Sequence, residues 1–152
     1  DFFCIGCNFT VFVEAPKNAL VMLTAKSSRT VSNIHLGREY FDAMYRGLNI
    51  TYLLNTTQEN IRKTPEGYIN ETLYFFLLAS HGDPDLYVTC GTELPKSLEN
   101  YRWKIDGRGV ETLIISREEF LTEFGPNQCD SIIVTVYARV CAAYGLLVRF
   151  LL

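Results

Sequence analysis

The sequence predicts an all-β fold: a jelly-roll-like antiparallel β-sandwich with one or two short helices, forming a single domain over residues 1–152. Short segments rich in β-branched and aromatic residues recur along the chain, with turn residues between them at regular spacing. Only one segment has both the start and the stop signal of a helix. Hydrophobic residues make up 48% of the chain, which favours a packed core over disorder.

The predicted strands are short apolar runs bounded by Pro, Gly, Asn and Ser. They cover residues 4–13, 19–25, 48–54, 73–79, 86–90, 101–105, 111–115, 131–140 and 144–152. Residues 73–79 form the longest unbroken apolar run and predict a buried strand. Residues 37–45 stay ambiguous, because their apolar positions fit helical spacing while their aromatic side chains also suit a strand.

The helix signal lies at residues 116–126. Ser116 can cap the N-terminus, Glu119 completes a Ser-x-x-Glu capping box, and Gly125-Pro126 ends the helix. Residues 55–70 are polar and contain Pro65-Glu-Gly. We expect them to form a long, exposed loop that carries N-linked glycans.

Charge and hydropathy argue against nucleic-acid binding and against a membrane-spanning segment. The net charge is −3, and Lys and Arg form no extended cluster, which argues against a nucleic-acid groove. The longest apolar run is far shorter than the roughly 20 residues of a membrane-spanning helix, so no transmembrane segment is predicted. The chain starts at Asp1 without a basic and apolar leader, which predicts a processed mature form or a fragment.

Four Asn-x-Ser/Thr sequons predict a secreted or cell-surface glycoprotein. They stand at Asn8, Asn49, Asn55 and Asn70, and roughly one would be expected by chance in a chain of this composition. The five cysteines also indicate an oxidising, extracellular compartment.

The disulfide candidates are Cys4, Cys7, Cys90, Cys129 and Cys141. Cys129 and Cys141 bracket one predicted strand, whose ends would lie roughly 40 Å apart if extended, so these two cannot pair. Each must therefore find another partner, such as Cys90 or the Cys4/Cys7 pair, and the connectivity stays open. Because the count is odd, one thiol is left over, either free and buried or bonded to a neighbouring chain.

No catalytic constellation is visible, and we predict that the chain is not an enzyme. His35 and His81 are the only histidines, and the sequence has no Gly-x-Ser-x-Gly elbow and no protease-type Cys motif. Cys4-Ile-Gly-Cys7 precedes a predicted strand and has no second Cys-x-x-Cys. It therefore fits a disulfide better than a redox or zinc site.

Residues 81–88 read His-Gly-Asp-Pro-Asp-Leu-Tyr-Val and place two carboxylates in a turn. Asp83 and Asp85 could bind Ca²⁺ through hard oxygen ligands. An EF-hand loop starting at Asp83 would need Glu at its twelfth position, where Leu94 stands. Asp side chains and Pro84 also stabilise turns without any ion. We therefore expect a structural turn, keep calcium as an alternative, and predict no other metal or cofactor.

Residues 75–88, Phe-Phe-Leu-Leu-Ala-Ser-His-Gly-Asp-Pro-Asp-Leu-Tyr-Val, resemble the signature of the bacterial pre-peptidase C-terminal domain and of the similar clostridial collagen-binding domains. Residues 133–137 and 144–148 would be the family's later strands, so the resemblance covers about residues 72–150. Ala138 replaces an expected Gly, and the loop, the helix and the cysteines are additions. The resemblance implies a non-catalytic, jelly-roll-like sandwich in secreted proteins, some of which bind polymers such as collagen and use calcium.

Together these features predict a structural building block of an extracellular assembly. The apolar terminal segments, residues 9–13 and 146–152, could exchange strands between molecules and build a homo-oligomer or a filament. The alternative is an accessory module of a larger secreted protein that binds a polysaccharide or a collagen-like matrix polymer, with Tyr101 and Trp103 as an aromatic platform.

Overall fold

Nine strands arrange in two facing sheets in the computed structural model, which describes residues 31–150. The strands are β1 Val31–Asn33, β2 Glu39–Met44, β3 Asn49–Asn55, β4 Leu73–His81, β5 Pro84–Cys90, β6 Trp103–Ile105, β7 Val110–Ile115, β8 Ser131–Ala138 and β9 Ala142–Phe150. One α-helix, α1 Arg117–Glu123, and a 3-10 turn, Leu98–Asn100, complete the described part. The predicted all-β sandwich with one or two short helices is confirmed.

The five-stranded sheet has the order β1-β3-β8-β5-β6, and the four-stranded sheet has the order β2-β9-β4-β7. Every pairing is antiparallel except β1 with β3, which is parallel. The short strand β1 thus adds one parallel pair at the edge of the predicted antiparallel sandwich. The chain leaves β1, crosses to the other sheet as β2, and returns, so it enters β3 in its original direction.

Alternate residues of each strand point between the sheets and form the core. Leu73, Phe75 and Leu77 of β4 are fully buried in this way. Two tyrosines join the sheets through their hydroxyl groups. Tyr52 of β3 donates to the Asp42 carboxylate and lies 2.8 Å from the Tyr144 hydroxyl of β9. Burial raises the pKa of both tyrosines, so the two hydroxyl groups keep their protons.

The predicted strands within residues 31–150 are all present, with some changes. Residues 37–45 contain β2, and the three-residue β1 was not predicted. Leu78 of β4 is 41% exposed, so the expectation of a buried strand is wrong on one of its faces. The predicted strands at residues 4–13 and 19–25 lie outside the described residues.

The capping box predicted for the helix is confirmed. The Ser116 hydroxyl accepts from the Glu119 backbone N–H at 3.2 Å, and the Glu119 carboxylate accepts from the Ser116 N–H at 2.8 Å. Phe120 of this helix is buried, and its ring centroid lies 5.4 Å from that of Trp103. No helix within residues 31–150 is long and apolar enough to cross a membrane.

The segment at residues 55–70 is only partly exposed, which corrects the expectation of an exposed loop. Ile61 and Ile69 are buried in the core, because the loop folds over one end of the sandwich. Glu59 ties this loop to the turn after β1, since its carboxylate lies 2.6 Å from His35 Nδ1 and accepts from the Leu36 N–H at 2.8 Å.

Candidate functional site

Residues 81–88 run from the end of β4 into β5, and Gly82 and Asp83 form the turn between these strands. This turn packs against the turn between β8 and β9. Gly82 has a φ of +78°, and a Cβ there would lie 2.1 Å from the Cys141 carbonyl oxygen, so only glycine fits. The Arg139 backbone N–H donates to the Asp83 carbonyl oxygen at 3.4 Å. The motif therefore fixes two neighbouring turns to each other at one end of the sandwich.

Asp85 is fully buried, and its carboxylate pairs with the Arg139 guanidinium at 2.6 Å. Arg139 also reaches Asp106 at 3.5 Å. Burial raises the pKa of the Asp85 carboxyl, and the guanidinium opposes this rise. The Asp85 side chain therefore holds Arg139, the residue that follows β8, whereas the sequence suggested that Asp85 braces its own turn. Among residues 31–150, no three His, Cys, Asp or Glu side chains are arranged to hold a metal ion.

Glu111 of β7 lies near this cluster and was not predicted as a special residue. It pairs with Leu77 across the sheet and shares that residue's inward direction. It is 4% exposed, and within residues 31–150 neither carboxylate oxygen has a hydrogen bond of normal geometry. Burial raises the pKa of Glu111 to about 7, with further contributions from Asp85, Asp83 and Asp106, while the Gly107 backbone opposes the rise. The signal was present in the sequence, because Glu111 has the same parity as the inward-facing Leu113 and Ile115.

Cys90 and Cys129 form a disulfide with a Cα–Cα distance of 4.9 Å. It joins the end of β5 to the segment before β8, so Cys129 has one of the partners that the sequence allowed. Cys141 is a free, exposed cysteine, so the first alternative for the leftover thiol, a buried one, does not describe it, and a bond to a neighbouring chain stays a prediction. It lines a hollow with His81, and no hydrogen bond joins these two side chains in the described part. Cys4 and Cys7 lie outside the described residues.

Three of the four sequons lie within the described residues. Asn49 is exposed at the start of β3. Asn55 is partly buried, and its side-chain oxygen accepts from the N–H groups of Thr57 and Gln58 at 3.0 and 2.9 Å. Asn70 is partly buried with its side-chain oxygen inside. Occupancy of these sites stays a prediction, and Asn8 lies outside the described residues.

The outer face of the five-stranded sheet has a polar groove of about 210 Å³. The loop after β5 forms one wall, and strand residues such as Asn49 and Thr51 form the floor. Tyr101 lines it and is held by a 2.6 Å hydrogen bond to Thr135. Trp103 is buried against the helix, so it is not available as the surface platform considered from the sequence.

The outer face of the four-stranded sheet is apolar, and we call it the apolar face. The strand registers place its side chains in rows that cross the sheet. The first row is Phe41, Gly145, Leu78 and Val110, the second is Glu39, Leu147, Phe76 and Thr112, and the third is Arg149, Tyr74 and Ile114.

Several side chains of the apolar face are strongly exposed: Phe41 by 52%, Leu78 by 41%, Val110 by 69% and Ile114 by 49%. Scattered exposed apolar residues are normal on a protein surface, but a contiguous exposed patch marks an interaction site. Four such residues on one sheet face, with two aromatic rings between them, meet that description. The sequence did not indicate this surface.

No family model matches the sequence, and a search of curated proteins finds no match. Three solved structures are similar. The pre-peptidase C-terminal domain of a collagenase from Bacillus anthracis has 10% identity and a TM-score of 0.47, over 78% of this chain and 94% of that one. The periplasmic inhibitor of g-type lysozyme PliG from Aeromonas hydrophila has 10% identity and a TM-score of 0.43, over 78% and 95%. The coat protein of Tobacco streak virus has 14% identity and a TM-score of 0.32, over 72% and 85%.

The resemblance to a pre-peptidase C-terminal domain, first inferred from residues 75–88, thus recurs in the structural comparison. At identities this low the likeness concerns the fold and not what these proteins do.

Proposed function

We propose that this chain is a non-catalytic building block of an extracellular assembly and that the apolar face is its contact surface. The observation that carries this proposal is the row of Phe41, Leu78 and Val110, which crosses the sheet and remains exposed to solvent. Water contact with apolar surface costs roughly 25 cal/mol per Å², so covering such a face favours association.

The extracellular setting is supported by the chemistry of the chain. The Cys90–Cys129 disulfide needs an oxidising compartment to persist. The sequon at Asn49 lies at an exposed strand end, as a surface glycan requires.

The route of association differs from the strand exchange expected from the sequence. Residues 146–150 belong to β9, which is paired with β2 on one side and β4 on the other. Within the described residues, Leu146 and Leu147 pair on both sides and residues 148–150 pair with β4, so exchange of this segment would first have to break these pairings. Residues 9–13 lie outside the described residues. A face contact leaves all strand pairings intact.

The test is to secrete the full chain from a eukaryotic host and to examine it by gel filtration and electron microscopy under native, non-reducing conditions. We expect species larger than one chain. Intact mass with glycan mapping establishes the occupied sequons and the disulfides. A strictly monomeric chain, or turnover in a broad hydrolase screen, would contradict the proposal.

A second candidate function is favoured by the groove on the five-stranded sheet. Its hydroxyl and amide groups beside the Tyr101 ring suit a neutral polysaccharide. Tyr101→Ala should then weaken binding to oligosaccharide arrays at least about tenfold. The control is Tyr45→Ala, because Tyr45 is exposed and lies away from the groove. If the unaltered chain binds none of the oligosaccharides on the arrays, this function is excluded.

A further inference from the structure

We propose that the partner covering the apolar face is a second copy of this chain, so that two sandwiches stack through their four-stranded sheets about a twofold axis. This inference rests on the proposed function and specifies its partner. In a twofold contact the same patch serves on both molecules, so the patch must match itself in charge, area and shape.

The charge of the apolar face is balanced. Its rows contain one carboxylate, Glu39 on the edge strand β2, and one guanidinium, Arg149 near the end of β9. The chain as a whole has a net charge of −3, so two copies approaching through most other surfaces repel each other weakly. Two copies approaching through this face do not, because each brings one charge of either sign.

The two charged groups are also placed so that they need not be buried. Arg149 lies over the Phe76 ring, with its guanidinium carbon 5.0 Å from the ring centroid, so the ring face offsets part of the cost of covering its charge. Glu39 stands on the outermost strand. The centre of the face, around Leu78 and Gly145, carries no charge, so its desolvation carries only a small free-energy penalty.

The area of the face suits a reversible pair. Four strands about 4.8 Å apart, with three or four rows about 6.8 Å apart, give roughly 450 Å² per copy. A stacked pair therefore buries roughly 900 Å² in total, which lies in the range of weak, transient interfaces below about 1,200 Å². We expect a transient pair, with a dissociation constant on the order of micromolar, rather than a permanent dimer.

The shape of the face includes both a ridge and a hollow. The ridge is the row of protruding Phe41, Leu78 and Val110 side chains. Beside it, small side chains at Ala43 and Ala143 leave a hollow of about 340 Å³ that is mostly apolar. A ridge and a hollow on one patch allow two copies to interlock, as inner faces of stacked sheets do at about 10 Å separation.

The ridge is also pre-organised. A Cβ added at Gly145 would lie 3.1 Å from the Phe41 ring, so this ring already packs over the glycine backbone. Little side-chain freedom is then lost when a partner covers it.

Sedimentation velocity of the purified full chain over about 1–100 µM tests this inference. We expect association that strengthens with concentration. Leu78→Lys places a charge at the centre of the face and should raise the dissociation constant by at least tenfold. Leu94→Lys is the matched control, because Leu94 is similarly exposed, at 49%, but lies on the other sheet's side. Val110→Lys is a second face variant, and circular dichroism checks the fold of each.

The outcomes separate the two proposals. Loss of association in Leu78→Lys and Val110→Lys, with association kept in Leu94→Lys, supports the stacked pair. If the unaltered chain and both face variants associate equally, the chain is still an assembly subunit, but this inference is overturned. A chain that stays monomeric at every concentration overturns both.

Discussion

Glu111 is the residue whose replacement tests our view of the core most directly. It is an inward-facing carboxyl with no well-formed hydrogen bond in the described part of the chain, and burial raises its pKa to about 7. In the unfolded chain the same group ionises near its ordinary value of 4.5. Glu111→Gln removes the ionisation and keeps nearly the same shape, so any pH-dependent change in stability belongs to that proton.

The size of the effect follows from the two pKa values of Glu111. Below about pH 4.5 the carboxyl is neutral in both states and costs nothing through ionisation. As the pH rises to 7, the unfolded chain releases the proton and the folded protein holds it, so folding is progressively disfavoured. The two pKa values differ by about 2.5, and each pKa unit corresponds to about 1.4 kcal/mol, so the loss reaches about 3 kcal/mol above pH 7.

Urea unfolding at pH 4.5 and pH 8 measures this difference. We expect the free energy of unfolding of Glu111→Gln, relative to that of the unaltered chain, to be about 3 kcal/mol higher at pH 8 than at pH 4.5. Any packing cost of the amide is present at both pH values and cancels in the comparison. The control is Glu93→Gln, since Glu93 is exposed and should show no such difference. An identical effect of Glu111→Gln at both pH values would refute the reasoning.

Two further predictions concern stability. Replacing Cys90 and Cys129 with Ala opens a loop spanning 39 residues and should lower the free energy of unfolding by about 4 kcal/mol. Cys141→Ala should change it by less than about 0.5 kcal/mol, because that cysteine is exposed and free. Gly82→Ala should cost about 3 kcal/mol through backbone strain and contact with the next turn. Gly47→Ala has a similar φ but open space, so it should cost only about 1 kcal/mol. Equal losses in the two glycine variants, measured by thermal or urea unfolding, would contradict the packing argument.

The strands and the helix could be predicted because their signals are local. Turn residues lie at the ends of each strand from β3 through β9. Ser116 and Glu119 form a capping box that is present in the structure. β1 has three residues and is stabilised by pairing with β3, so no local pattern indicates it. Its parallel direction depends on where the chain crosses between sheets, which is information that a short segment does not contain.

The candidate surface could not be predicted for a different reason. Residues 73–79 are apolar at every position, so alternation could not show that Leu73, Phe75 and Leu77 point inward while Leu78 points outward. A continuous apolar run is the usual pattern of a strand covered on both faces. Only the register of β4 with its neighbours shows that one of these faces is open to solvent.

The position of Glu111 has a consequence for aggregation. In the described part of the chain, β7 is the outer strand of its sheet and has backbone groups free to accept another strand. A strand added there would place its own core-facing side chain beside a carboxyl that ionises near neutral pH, and natural edge strands are protected by inward charges of this kind. Glu111 therefore lowers the stability of the single molecule and hinders its growth into a continuous cross-β sheet. An inward charge at this edge disfavours edge-to-edge growth and leaves the face-to-face contact proposed above unaffected.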